Sequence, residues 1–293
     1  MTPSPAWPEA FSPAPDMQPA SLDALEAMAR QNRLDVAAMF MAAGNGHFGS
    51  CYSCTEIIVA LYFALMRLDP SNPDWPARDR FVMAKGHAAP TLYSALIRRG
   101  FFSEEWIPEY ETKVGARLMT HPSRRYQPGV DTSAGALGHG LSIGVGMALA
   151  GRMDGADHNV FVLMGDGETN EGSVWEAAAA ASKFRLGNLV GIVDSNRLCV
   201  DGSLDAVMPV EPQEERWRAF GWDVTRLDGH DFAALLSALA PRRDRLHAPP
   251  RMVIADTVKG KGVSFMEGVR SWHADTITPE QYARLRTELG VEA

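Results

Sequence analysis

The sequence has 293 residues, 46 % of them hydrophobic and 22 % charged, with a formal net charge of -8. A chain of this length buries a substantial core, as one large domain or two small ones. The acidic balance excludes the broad basic surface that nucleic-acid phosphates require, and no apolar run reaches the roughly 18 residues of a membrane span, so neither nucleic acid nor membrane is an expected partner.

Residues 1–20 are rich in proline and lack both the basic start and the apolar stretch of a secretory signal, so they read as a flexible tail preceding a single domain over 21–293. Three cysteines cannot form a paired disulfide framework. Cys51-x-x-Cys54 has no second pair to complete a zinc site, which fits a reducing cytoplasm and leaves a redox role and simple helix packing both open.

Helical spacing starts at Ser21 and Asp23, both good start signals, and should end near Gly44. A second apolar helix is predicted over residues 54–66, then a proline-rich loop over 69–76 and a short strand over 80–83. A glycine-rich loop at 133–140 leads into a helix whose small residues, Gly144, Gly146 and Ala148, invite a second helix to pack closely. A strand over 159–164, a helix over 172–184 and a strand over 189–193 form a βαβ unit. Further strands are expected over 222–227 and 252–257 around a helix over 232–239. This alternation predicts an α/β fold: a mostly parallel sheet with helices on both faces and ligands at the carboxyl ends of the strands.

At one such end lies "GDGETNEG", residues 165–172. Gly165 and Gly167 flank Asp166 and let a bulky anion approach without meeting a Cβ. Thirty residues on, the next parallel strand ends in Asp194, Ser195 and Asn196, which brings Asn196 near Asp166. A carboxylate, an amide oxygen and the Leu198 carbonyl are hard donors that suit Mg²⁺, which keeps places free for phosphate oxygens and water. The helix starting near Gly172 adds its N-terminal dipole. A calcium-binding helix–loop–helix fails, because its sixth and twelfth loop positions are Glu171 and Ala177 here. A solvated turn without an ion is the bland alternative.

"GDGETNEG…VDSNRLCVDG" resembles the thiamine-diphosphate motif in its transketolase version. The resemblance implies the thiamine-diphosphate-binding fold, with thiamine diphosphate and Mg²⁺ as cofactors, the ion held by Asp166, Asn196 and the Leu198 carbonyl. Gly167 belongs to the same cofactor turn. "KGHAAP" then implies His87 beside the cofactor's thiazolium ring. "AAGNGHFG" and "THP" imply His47 and His121 as further site histidines, and "GALGHG" implies cofactor packing by Gly135, Ala136 and Leu137. Lys259 and His273 match residues near the diphosphate and the substrate channel. His47, His87, His121 and His273 are therefore the catalytic candidates, suited to hydroxyl recognition and proton transfer. His139, where the family commonly has glutamine, is open between a structural and a catalytic role. Glu171 matches an acid bracing the site across a subunit interface, and the alanine-rich run 176–182 reads as an interface face.

A full-length transketolase carries two further domains, and the glutamate that activates the cofactor ring belongs to the second. No residue here offers that acid. The resemblance thus implies the N-terminal subunit of a split transketolase, acting on sugar phosphates with a separate pyrimidine-domain subunit in an α2β2 heterotetramer. The alternatives are the α subunit of a 2-oxo acid dehydrogenase or acyloin-forming ligase, and a non-catalytic cofactor-binding partner.

Overall fold

A computed structural model describes residues 21–291 apart from 114, 243, 244, 246 and 247. The proline-rich segment 1–20 lies outside the described residues. Among these residues five strands form one parallel sheet: β1 (Arg80–Met83), β2 (Val160–Gly165), β3 (Leu189–Ser195), β4 (Asp223–Asp228) and β5 (Arg251–Asp256), in the order β1-β2-β3-β5-β4. The three central strands read as near-continuous apolar runs because both their faces are buried. Edge strand β4 mixes exposed and half-buried residues, since no described strand pairs its outer side.

Among the described residues ten α-helices accompany the sheet: α1 (Leu22–Ala43), α2 (Phe48–Ser53), α3 (Thr55–Ala60), α4 (Ala89–Arg98), α5 (Gly140–Met153), α6 (Gly172–Lys183), α7 (Leu204–Val207), α8 (Gln213–Ala219), α9 (Phe232–Leu239) and α10 (Pro279–Glu288). Strand side chains alternate between two cores. Phe81, Phe161, Leu163, Val190, Ile192 and Val253 point to one face and pack on α1, α3, α4 and α9. Val82, Val160, Val162, Met164, Leu189 and Ile254 point to the other and pack on α5, α6 and α8. This two-period alternation on a parallel sheet is what the expected architecture requires.

Two local expectations change. The helix predicted over 54–66 starts earlier, breaks at Cys54 (φ -102°) and widens over its last turn, Leu61–Leu65, into i→i+5 bonding. Side-chain donors pull carbonyls out of the ladder at the break: Lys85 Nζ bonds the Ser50 carbonyl at 2.9 Å, and Thr55 and Thr91 hydroxyls both bond that of Cys51. The helix α5 packs on α6 as its small residues suggested, but those residues also serve the sheet. A Cβ on Gly144 would lie 2.4 Å from Val162 Cγ2, so this glycine seats the helix on β2, whereas one on Gly146 would meet nothing within 4 Å.

The alanine run of α6 is likewise shared out. Ala177, Ala178 and Ala181 are buried in the sheet core, and Glu176 and Ala179 face outward. Among the described residues no helix is long and apolar enough to cross a membrane.

Candidate active site

The carboxyl ends of β2 and β3 meet in register, Gly165 opposite Asp194, and a cleft of about 520 Å³ opens above them. A cavity of that size suits a cofactor or small ligand. Asp166, Gly167, Asn196 and Leu198 line it, together with His47, His87, His121, Gly135, Leu137, Lys259 and His273. Most of the residues singled out in the sequence therefore share one cleft. Ala136 and His139 do not; they line a neighbouring hollow beside the start of α5, where His139 Nδ1 sits 3.2 Å from the Leu137 carbonyl. Glu171 is exposed at the N-cap of α6, against Gly138.

The donors at the strand tips are pre-arranged by the backbone. Asp166 is buried, with Oδ1 accepting from Gly167 N at 2.8 Å and Oδ2 from Arg197 N at 2.5 Å. Burial, then the neighbouring Asp194 carboxylate, pushes its carboxyl up to about 6. The Leu198 carbonyl accepts from the Lys259 ammonium at 2.9 Å. The buried Asp166 carboxylate, the Asn196 amide and a carbonyl that already attracts an ammonium line the cleft together and form a hard-oxygen donor set that fits a dication. A Cβ at Gly165 would meet nothing within 4 Å, so the space above the turn is open.

Three histidines come together from distant parts of the chain. His47 is the N-cap of α2, His87 sits in the 3₁₀ turn Gly86–Ala88 after β1, and His273 ends the 3₁₀ turn Arg270–His273. A paired bridge between Gly46 and Asp275 draws the last of these beside the first. Ring centroids lie 5.4 Å apart for His47 and His87, and 5.7 Å for His273 from each of them. His121 stands over Gly86 and Gly135; a Cβ on Gly86 would come within 3.0 Å of both its ring and Gly135 N, so only glycine allows this approach.

The cluster is held in the neutral form. Burial, then the nearby cationic Lys85, lowers His87 well below the usual histidine range, and burial with Lys259 lowers His273 to about 4. His47 is lowered by burial and His121. Lys259 is itself brought down to about 8, by burial and the charge of Lys85. Its ammonium donates to His273 Nδ1 at 2.9 Å, which leaves the imidazole hydrogen on Nε2.

The family described as transketolase, thiamine diphosphate binding domain, matches residues 25–293. The chain belongs to the transketolase family. A similar protein, an apulose-4-phosphate transketolase subunit from Phocaeicola vulgatus, is 43 % identical over 261 residues, covering 89 % of this chain and 92 % of its own. The 6-deoxy-6-sulfo-D-fructose transketolase subunit SqwG of a Clostridium strain is 42 % identical over 249 residues, covering 85 % and 90 %. The solved transketolase of Campylobacter jejuni superimposes with a TM-score of 0.86 at 29 % identity, covering 93 % of this chain and 44 % of that one. The present transketolase chain is thus comparable in length to the two named subunits and spans less than half of the solved enzyme. The match favours the transketolase reading over the 2-oxo acid dehydrogenase alternative.

Two features of this transketolase site escaped the sequence reading. Lys85 and Asp194 form a fully buried ion pair beneath the cleft, with Ser53 Oγ donating to Asp194 at 2.6 Å and Thr257 also bonded to it. Burial alone would raise the Asp194 carboxyl, but Lys85 and the two hydroxyls hold it below the usual range. Glu168 is the second. Its carboxylate accepts Gly138 N at 2.9 Å and Gly165 N at 3.1 Å, tying the glycine loop to the end of β2, and burial pushes it up to about 7 despite those bonds.

The surroundings of Cys51 and Cys54 fit helix packing. Both thiols are free and buried, and burial raises each to about 12, far from a reactive thiolate.

Proposed function

We propose that this chain is the thiamine-diphosphate-binding subunit of a two-component, cytoplasmic transketolase, transferring a two-carbon ketol unit from a ketose phosphate to an aldose acceptor. The observation that carries the reading is the meeting of Asp166, Asn196 and the Leu198 carbonyl with three neutral imidazoles across a single cleft. Asp166, Asn196 and Leu198 would hold Mg²⁺, and Lys259 with the N-terminal end of α6 would balance the diphosphate charge. Thiamine diphosphate, when bound, supplies the thiazolium carbon at which the sugar carbon–carbon bond is cleaved and re-formed.

His47, His87 and His273, neutral at physiological pH, hydrogen-bond to sugar hydroxyls, His273 as a donor through Nε2–H, and His87 takes and returns the hydroxyl proton. Glu168 holds the 135–138 loop against the cleft wall. A separate polypeptide supplies the pyrimidine half, including the ring-activating acid, in an assembly of two chains of each kind. Four apolar side chains at the cleft support such a partner: Leu137, Val200, Val207 and Met208 line it and are 42 %, 59 %, 46 % and 58 % exposed. The relatives named as subunits, at near-equal length, support it as well.

The test is reconstitution with the pyrimidine-domain chain, assayed with thiamine diphosphate, Mg²⁺, xylulose 5-phosphate and an aldose phosphate. Turnover should require both chains and vanish on chelation of the metal. Full turnover by this chain alone would sink the two-component reading.

A further inference from the structure

Outside the cleft, three side chains from separate elements converge on the turn that carries Lys259. Arg33 of α1 and Glu56 of α3 are buried, with Arg33 Nη2 2.7 Å from Glu56 Oε1 and 3.0 Å from Oε2. Glu56 Oε2 also lies 2.9 Å from Nδ1 of His230, in the loop after β4. His230 Nε2 accepts the Val258 N–H at 2.9 Å, so Nδ1 carries the imidazole hydrogen and donates it to Glu56. On the far side of the same turn, Arg33 Nε donates to the Lys261 carbonyl at 2.7 Å.

The turn is therefore gripped one residue before Lys259 and two residues after it, and Glu56 joins the two grips. The ammonium of Lys259 ends at the Leu198 carbonyl and at His273 Nδ1. Burying a lysine side chain costs rotamer freedom and desolvation, so a loosened turn would release it to water.

We infer that Arg33, Glu56 and His230 form a clamp that positions Lys259 for the cofactor's diphosphate, His230 acting as a positioning residue through Val258. This rests on the function proposed above. None of the three lines the cleft, so their effect on binding must pass through the turn.

The experiment is a double-mutant cycle in the reconstituted complex, with the dissociation constant for thiamine diphosphate in excess Mg²⁺ read by calorimetry. His230→Ala should weaken binding about tenfold, the worth of one lost hydrogen bond near the upper end of the usual range. His230→Gln should recover most of that loss, since its amide offers one donor and one acceptor as the ring does. Made in a Lys259→Ala background, His230→Ala should change affinity no further. An equal tenfold loss in both backgrounds overturns the clamp, as does a lowered melting temperature with unchanged affinity. Should His230→Ala fail to assemble, Arg33→Lys serves in its place, removing the Nε–H to Lys261 while keeping a charge beside Glu56, and unchanged affinity there is equally fatal. A wild-type complex that does not bind thiamine diphosphate refutes the proposed function itself, whereas normal wild-type binding with insensitive variants refutes only the clamp.

Discussion

At the scale of single residues, the environment decides what each histidine does. His87, lowered by burial and by the neighbouring Lys85 and imidazoles, is neutral at physiological pH and can present a ring nitrogen as acceptor to a substrate hydroxyl. His87→Ala should lower turnover by about a hundredfold or more, the usual contribution of general acid–base catalysis, while shifting cofactor affinity much less. Steady-state kinetics beside calorimetry checks the split; a larger effect on affinity would make His87 a cofactor contact. The cysteines carry a second prediction. With Cys51 and Cys54 buried and raised to about 12, a disulfide reagent at pH 8 should modify only the half-buried Cys199 quickly in the native chain, and all three after denaturation. The GDG turn and its distant asparagine were legible because hard oxygen donors after a strand have few other uses. Lys85 and Asp194 were not, because a buried ion pair needs a partner 109 positions away that no local pattern reveals.

At the scale of elements, the seat of α5 on the sheet separates two glycines that look alike in sequence. A Cβ at Gly144 would press into the buried, branched Val162, which has no flexible end to yield, and overpacking of that kind costs about 1–3 kcal/mol. That exceeds the gain of up to ~1 kcal/mol in helix propensity from replacing glycine with alanine. Gly144→Ala should therefore lower stability, and Gly146→Ala, in open space, should raise it; urea unfolding of the isolated chain measures both. Helix and strand order was readable from periodicity. The break at Cys54 was not, because it depends on Lys85, Thr55 and Thr91 competing for carbonyls.

At the scale of the whole molecule, the Arg33–Glu56–His230 group joins α1, α3 and the loops after β4 and β5. Burial would raise the Glu56 carboxyl, yet the Arg33 charge and His230 outweigh it, and the folded value lies below the ordinary 4.5. A depressed carboxylate contributes stability that is present above the unfolded value and lost as pH falls through the folded one. The stability gap between wild type and Glu56→Gln should thus be full at pH 6 and shrink as pH drops below about 4.5, which denaturation at a series of pH values will follow. A gap that stays constant on acidification would show that the pair contributes nothing through its charge.

The sequence by itself determined the parallel α/β architecture, the glycine-flanked acidic turn and the histidine loops, because strand periodicity, glycine spacing and hard-donor chemistry are local and leave a pattern in the chain. Tertiary structure alone decided that His47, His87 and His273 share one cluster while His139 stands apart, and that Lys259 ends on the Leu198 carbonyl. Those contacts join residues tens to hundreds of positions apart. Their energies come from burial and neighbouring charge, which exist only once the sheet has brought the strand tips together.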